Sequence, residues 1–213
     1  MTHTPKFGST RHFDDAYEAL LYTTSALATQ ADDPALAPLL KRASSMLEDW
    51  IAIDSEQRRL RGSAVAARAR IAVADAALDH CVSAFAQALI DKDGRDSDLY
   101  RRCFPEPHEQ VIEMGLDAEL PAAMLIIAIL GEDEDLGASL EEHATPLSQA
   151  VQLGNLVLTE RAEAYATLGR HQARVEAWLE GAAAAERSLT RVLGELAEAR
   201  GLGPRWAASF FPV

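Results

Sequence analysis

Between Leu36 and Ala88 apolar residues recur every three and four positions without interruption. Leu36, Ala43, Trp50, Gln57, Ala64, Ile71, Leu78 and Phe85 occupy one heptad position. Leu39, Met46, Ile53, Leu60, Ala67, Ala74, Cys81 and Ala88 occupy the position three residues on, and of the sixteen Gln57 alone is polar. A two-position seam held over eight heptads specifies a long helix packed lengthwise on another. Gly62 lies in the middle of it. A hairpin there would restart the count, yet the phase is kept, and one Gly inside a helix costs only about 1 kcal/mol. The stretch is therefore expected to be one helix, roughly 80 Å long at 1.5 Å per residue. A tight turn at Gly62 is the rival reading.

A second stretch behaves in the same way. Leu147, Ala150, Gly154, Val157, Arg161, Ala164, Leu168 and His171 form a stripe. Val175, Trp178, Ala182, Ala185, Leu189, Val192, Leu196 and Ala199 continue it, in phase through Gly169. A shift of 107 residues brings Gly62 onto Gly169, Leu89 onto Leu196, Gly94 onto Gly201, and Phe104-Pro105 onto Phe211-Pro212. The coincidences fall at punctuation points, as expected when one supersecondary unit occurs twice. The expected fold is all-α: an elongated antiparallel helical bundle, with two long heptad-patterned helices and short helices capping each end. The chain reads as one domain, 1–213, with repeats of about 1–106 and 107–213. In the antiparallel arrangement the N-terminal helix and the C-terminal aromatic tail share one end.

Local signals supply the remaining elements. His12 to about Gln30 has helical spacing, and Asp32-Asp33-Pro34 marks the start of the first long helix. Gly94 reads as its C-terminal cap. Short helices follow at Ser97–Arg102, about Glu109–Met114 and Leu120–Leu130. Residues 131–137 read as an acidic loop, and Thr145-Pro146 as the start of the second long helix, which ends before Gly201 and Gly203. Alternating β-branched runs that would signal strands are lacking.

Aromatic residues make up 6% of the chain within a hydrophobic content of 48%, a composition that suits closely packed helices. The net charge of −13 argues against nucleic acid or an anionic membrane surface as partner. Its distribution says more. Gln57 to Ala74 holds Arg58, Arg59, Arg61, Arg68 and Arg70 and no acid. Cys103 to Glu160 holds twelve acids and no Lys or Arg. The arginines could contact an anionic partner, but pairing inside the bundle with Glu160, Glu163, Glu176 and Glu180 is preferred. Arg161, on the second seam, is expected to meet Asp75. Glu132, Asp133, Glu134 and Asp135 are candidate contacts for a basic partner. Trp206, Phe210 and Phe211 either tuck against the N-terminal helix or dock onto another subunit.

Chemical motifs are missing. No His follows a Glu by three residues, no Cys-x-x-Cys occurs, and 131–137 lacks EF-hand spacing. Gly201-Leu202-Gly203 follows a helix rather than a strand, so it is no dinucleotide fingerprint. His171 reads as a packed histidine. Cys81 and Cys103 read as reduced thiols. The N-terminus has no apolar signal region, and the most apolar run, Leu120–Leu130, is too short to span a bilayer. The expected protein is cytoplasmic and non-enzymatic, with no catalytic, metal or cofactor site and no small-molecule ligand. It is read as a structural or interaction protein, acting through coiled-coil-like packing and forming a homo-oligomer or binding another protein. The alternative is an adaptor whose acidic segment 103–160 binds a basic protein. A ligand pocket under Trp50 or Trp178 is a third possibility.

Overall fold

The computed structural model describes residues 13–132 and 140–212. Among these the chain is all helix and turn. The elements are α1 (Phe13–Ala28), α2 (Ala37–Asp93), α3 (Asp98–Cys103), α4 (His108–Val111), α5 (Leu116–Glu132), α6 (Glu141–Ala199) and α7 (Pro204–Ala208). The two long helices, α2 and α6, pack against each other. Gly62 and Gly169 lie inside them, and a methyl group added at either would meet nothing within 4 Å. The sixteen seam positions, fifteen on α2 and Leu36 just before it, are all buried or half-buried. Unbroken phase in the sequence thus corresponds to unbroken helix.

Helix ends follow their local chemistry. Ser97 caps α3 by accepting from the Tyr100 N–H at 3.2 Å. Gly94 and Gly201 stop the long helices in the left-handed region, with φ of +84° and +67°, where a side chain would be strained. The Gly94 N–H donates to the Ile90 carbonyl at 2.9 Å. At the other stop the Leu202 N–H reaches back to Ala197 at 2.8 Å. Two expected boundaries are corrected: α5 runs through Gly131 and Glu132, the start of the expected acidic loop, and α6 begins at Glu141, so Pro146 lies inside it rather than at its start. Near an exposed helix start the missing proline N–H forfeits only one intrahelical bond.

The chain divides into two compact units, residues 61–167 and residues 1–60 with 168–213. In the latter, Leu20 and Leu27 of α1 join Leu36, Ala43, Leu189, Leu193, Phe210 and Phe211 in one apolar core. Phe13 stacks on Trp50 at 4.9 Å and meets the Trp178 edge at 5.5 Å, while Tyr17 covers Trp50 at 4.3 Å. The Trp50 indole N–H donates to the Phe13 carbonyl at 3.0 Å. Asp33 forms a two-point ion pair with Arg200, whose guanidinium also lies 5.9 Å over the Trp206 ring. That hydrogen bond, helped by the Ala35 N–H, holds the Asp33 carboxyl below its ordinary value.

In the 61–167 unit, Leu78, Val82, Phe85 and Leu89 of α2 pack with Tyr100, Phe104, Leu120, Ile126, Leu147 and Val157. Each large apolar side chain removed from water contributes about 1.5–3 kcal/mol. Val82 and Leu89 lie beside the seam, and they are buried because α3–α5 widen the contact beyond one partner helix. Helix α5 approaches α6 closely at Gly154, where an added methyl carbon would lie 2.9 Å from Leu120 Cδ2. Shifted by 107 residues, α2 falls on 144–200 and α3 on 205–210, against 141–199 for α6 and 204–208 for α7.

Candidate functional site

The site is built from one acidic side chain on α5 and two on α2. Asp75 and Asp79 are four residues apart, so their side chains lie on one face of α2, a like-charge spacing that an isolated helix disfavours. Glu119 projects from the first turns of α5, with none of its surface exposed. One carboxylate oxygen from each residue lies within 4.8 Å of the other two. Asp75 Oδ1, Asp79 Oδ1 and both Glu119 oxygens are buried without a hydrogen-bond donor. Buried polar atoms in folded proteins are nearly always paired, so four orphaned acceptors at one point call for an explanation.

The local fold accounts for the placement. Gly115 takes φ of +76° just before α5, and its carbonyl accepts from the Ala118 and Glu119 N–H groups, both at 3.0 Å. This turns the chain into α5 and aims the new helix's N-terminus at α2. There the Leu116 N–H donates to Asp75 and lowers its pKa, but burial and then the charge of Asp79 push it up on balance. Burial raises Glu119 most, followed by the Asp79 charge, a hydrogen bond to Asp79 and the Asp75 charge, bringing it to about 8. An uncharged Glu119 can give one proton to Asp79, which relieves one contact of the three. Asp75 and Asp79 are half-buried, which leaves a route for water or an ion.

The other titratable groups have structural surroundings. Both cysteines are free thiols. Burial pushes Cys103 up to about 11, and burial with the Glu119 charge raises Cys81, so neither is set up as a thiolate. His171 is buried, with Nε2 3.1 Å from the Ile53 carbonyl, as a packed histidine should be. His108 Nδ1 lies 2.9 Å from the Tyr100 hydroxyl.

The structure distributes the other candidates as follows. Arg70 pairs with Glu160 at 3.2 Å, as expected, whereas Arg58 and Arg59 are corrected to partners within α2, Asp54 at 2.9 Å and Glu56 at 2.7 Å. Arg61 and Arg68 are exposed and have no acidic partner among the described residues. Arg161 pairs with Asp117 at 2.8 Å, correcting the expected partner Asp75. Asp117 lies two residues before Glu119 on an exposed face of α5, within the guanidinium's reach, while Asp75 turns toward the α5 backbone. Glu132 is exposed and pairs with Arg102 at 3.2 Å. Asp133, Glu134 and Asp135 lie outside the described residues. Phe210 and Phe211 are buried in their own unit and Trp206 is half-buried, edge-on to Phe210 at 5.0 Å. Phe13 and Tyr17 pack against the Trp50 ring, at the place of the expected third possibility, a ligand pocket.

Heptad reading passed over the trio because Asp75 and Asp79 flank the seam, where charge is ordinary. The available signal was the Asp-x-x-x-Asp spacing, together with a glutamate beside Leu120 at the head of an apolar stretch. No protein-family model matches the chain, and no curated protein or solved structure matches it significantly.

Proposed function

We propose that this chain is a non-enzymatic interaction protein that associates with a second copy of itself through helix packing. The observation that carries the reading is the surface of the 61–167 unit. Val65, Val73, Leu153 and Leu156 are large apolar residues exposed on its long helices, by 62%, 69%, 42% and 55%. Leu153 and Leu156 lie one turn apart on α6, where one partner surface can cover both. Charges of opposite sign in the same unit favour a second copy as that partner. Arg61 and Arg68 carry unpaired positive charge, while Glu106, Glu113, Glu141 and Glu142 are exposed acids without a basic partner among the described residues. The structural surroundings of the thiols and imidazoles support a binding role over turnover.

Sedimentation velocity over a concentration series tests this. Reversible dimerisation is expected, and Leu153→Glu with Leu156→Glu should weaken it severalfold. A monomer at every concentration would exclude it.

The adaptor alternative draws on the same exposed acids. A complex held by them with a basic protein should weaken steeply from low to physiological salt, whereas apolar self-association should not. One window of α2 has a mean hydropathy of 1.2, enough by composition to cross a bilayer, a property shared by core helices of soluble proteins. The near-coincidence of element ends under the 107-residue shift, with left-handed Gly94 and Gly201 as equivalents, supports the reading of an internal duplication.

A further inference from the structure

We infer that Asp75, Asp79 and Glu119 form a binding site for one hard divalent cation, of the calcium, magnesium and manganese class. Four observations carry this. The donors are all carboxylate oxygens, the ligand chemistry that this class prefers and softer metals do not. Their spacing is right: around an ion with metal–oxygen distances of about 2.3–2.6 Å, neighbouring ligands lie about 3.3–3.6 Å apart and opposite ones about 4.6–5.2 Å. The three oxygens all lie within 4.8 Å of one another, no farther apart than ligands of one such ion can be.

The third observation is independent of the aspartate pair. Glu119 comes from a different helix, has no exposed surface, brings one oxygen to within 4.8 Å of the pair, and finds no donor outside the trio for either oxygen. A glutamate that merely filled space there would leave two acceptors unsatisfied in an apolar layer formed by Leu116, Leu120 and Ala123. No Lys, Arg or His pairs with the three acids among the described residues; the nearby Arg161 is engaged by Asp117 on the outer face. A proton shared between Glu119 and Asp79 answers one carboxylate contact and leaves the others. A divalent cation answers all three at once.

The fourth observation is asymmetry between the halves. Under the 107-residue shift Asp75 corresponds to Ala182 and Asp79 to Glu186. The corresponding stretch of α6 keeps one buried acid, Glu186, and lacks the aspartate pair. With half-buried Asp75 and Asp79 on its open side, the site can complete the ion's shell with water.

The test uses the full chain, freed of metal with a chelator and titrated with Mn2+. Loss of the free-ion electron paramagnetic resonance signal counts what is bound, and Ca2+ and Mg2+ are added as competitors. One Mn2+ per chain is expected, with a rise in melting temperature. Glu119→Gln and Asp79→Asn should each weaken binding roughly tenfold or more, because ligand charge sets affinity at oxygen sites. Glu48→Gln with Asp49→Asn, which removes exposed charge elsewhere, should leave binding unchanged. Wild-type protein that leaves Mn2+ free at stoichiometric loading overturns the proposal, whatever the variants do. Equal binding by wild type, Glu119→Gln and Asp79→Asn overturns it too, since the ions would then be held by the acidic surface. Should Glu119→Gln fail to fold, Asp79→Asn and the wild-type stoichiometry still decide.

Discussion

Replacing Glu119 by Gln in chelator-treated protein should flatten a pH dependence that the buried carboxyl imposes. The groups facing Glu119 are Asp75 and Asp79, with the Cys81 thiol also within its electrostatic reach. Burial and these acids move Glu119 from an ordinary 4.5 to about 8. A carboxyl raised in the folded state favours folding while protonated. Its contribution is complete below about 4.5, declines as pH rises, and is lost once pH passes about 8. At about 1.36 kcal/mol per pH unit the span has a ceiling of about 5 kcal/mol. Water reaching the half-exposed aspartates screens the field, so about 2–3 kcal/mol is the expected loss. Glutamine keeps the shape and carries no charge. Urea unfolding at a series of pH values from about 5 to 9 should therefore show wild type losing stability against the variant by that amount. Asp75, also raised, adds a slope of the same sign to both proteins, so the difference isolates Glu119. Parallel curves would refute the reasoning, because Glu119 would then be as well solvated folded as unfolded.

Other substitutions probe the packing. Gly62→Ala and Gly169→Ala should each stabilise by about 0.5–1 kcal/mol in thermal melts, since both sites are helical and open. Gly154→Val should instead lose about 1–3 kcal/mol, because its side chain enters the space held by Leu116 and Leu120. Phe210→Ala should cost about 3–5 kcal/mol by emptying the core beneath α1, a loss too large for a tail docked only on other molecules.

Much of the helical plan is legible in the spacing of the apolar residues. The seam positions that named α2 are buried or half-buried, and Val82 and Leu89 beside them are fully buried. Gly94 and Gly201 were legible because a left-handed stop admits glycine most readily. The start of α6 was not: Pro146 reads as a boundary, yet a proline near a helix start forfeits little. The partner of Arg161 was misplaced because heptad pairing considers two helices at a time, while Asp117 comes from a third. The carboxylate trio escaped for a similar reason. Nothing in the spacing of Asp75 and Asp79 says that Gly115 will turn α5 so that Glu119 faces them. Periodicity reports which face is inside; which distant residues converge depends on where the short helices land.

The long helices carry every other feature, and their continuity through two mid-helix glycines can be read amide by amide. Hydrogen exchange of the native protein should show the amides around Gly62 and Gly169 protected to the same degree as those on either side, with no dip. Fast, solvent-like exchange confined to those two positions would mean that the chain breaks there, and the lengthwise packing of α2 on α6 would fall with it.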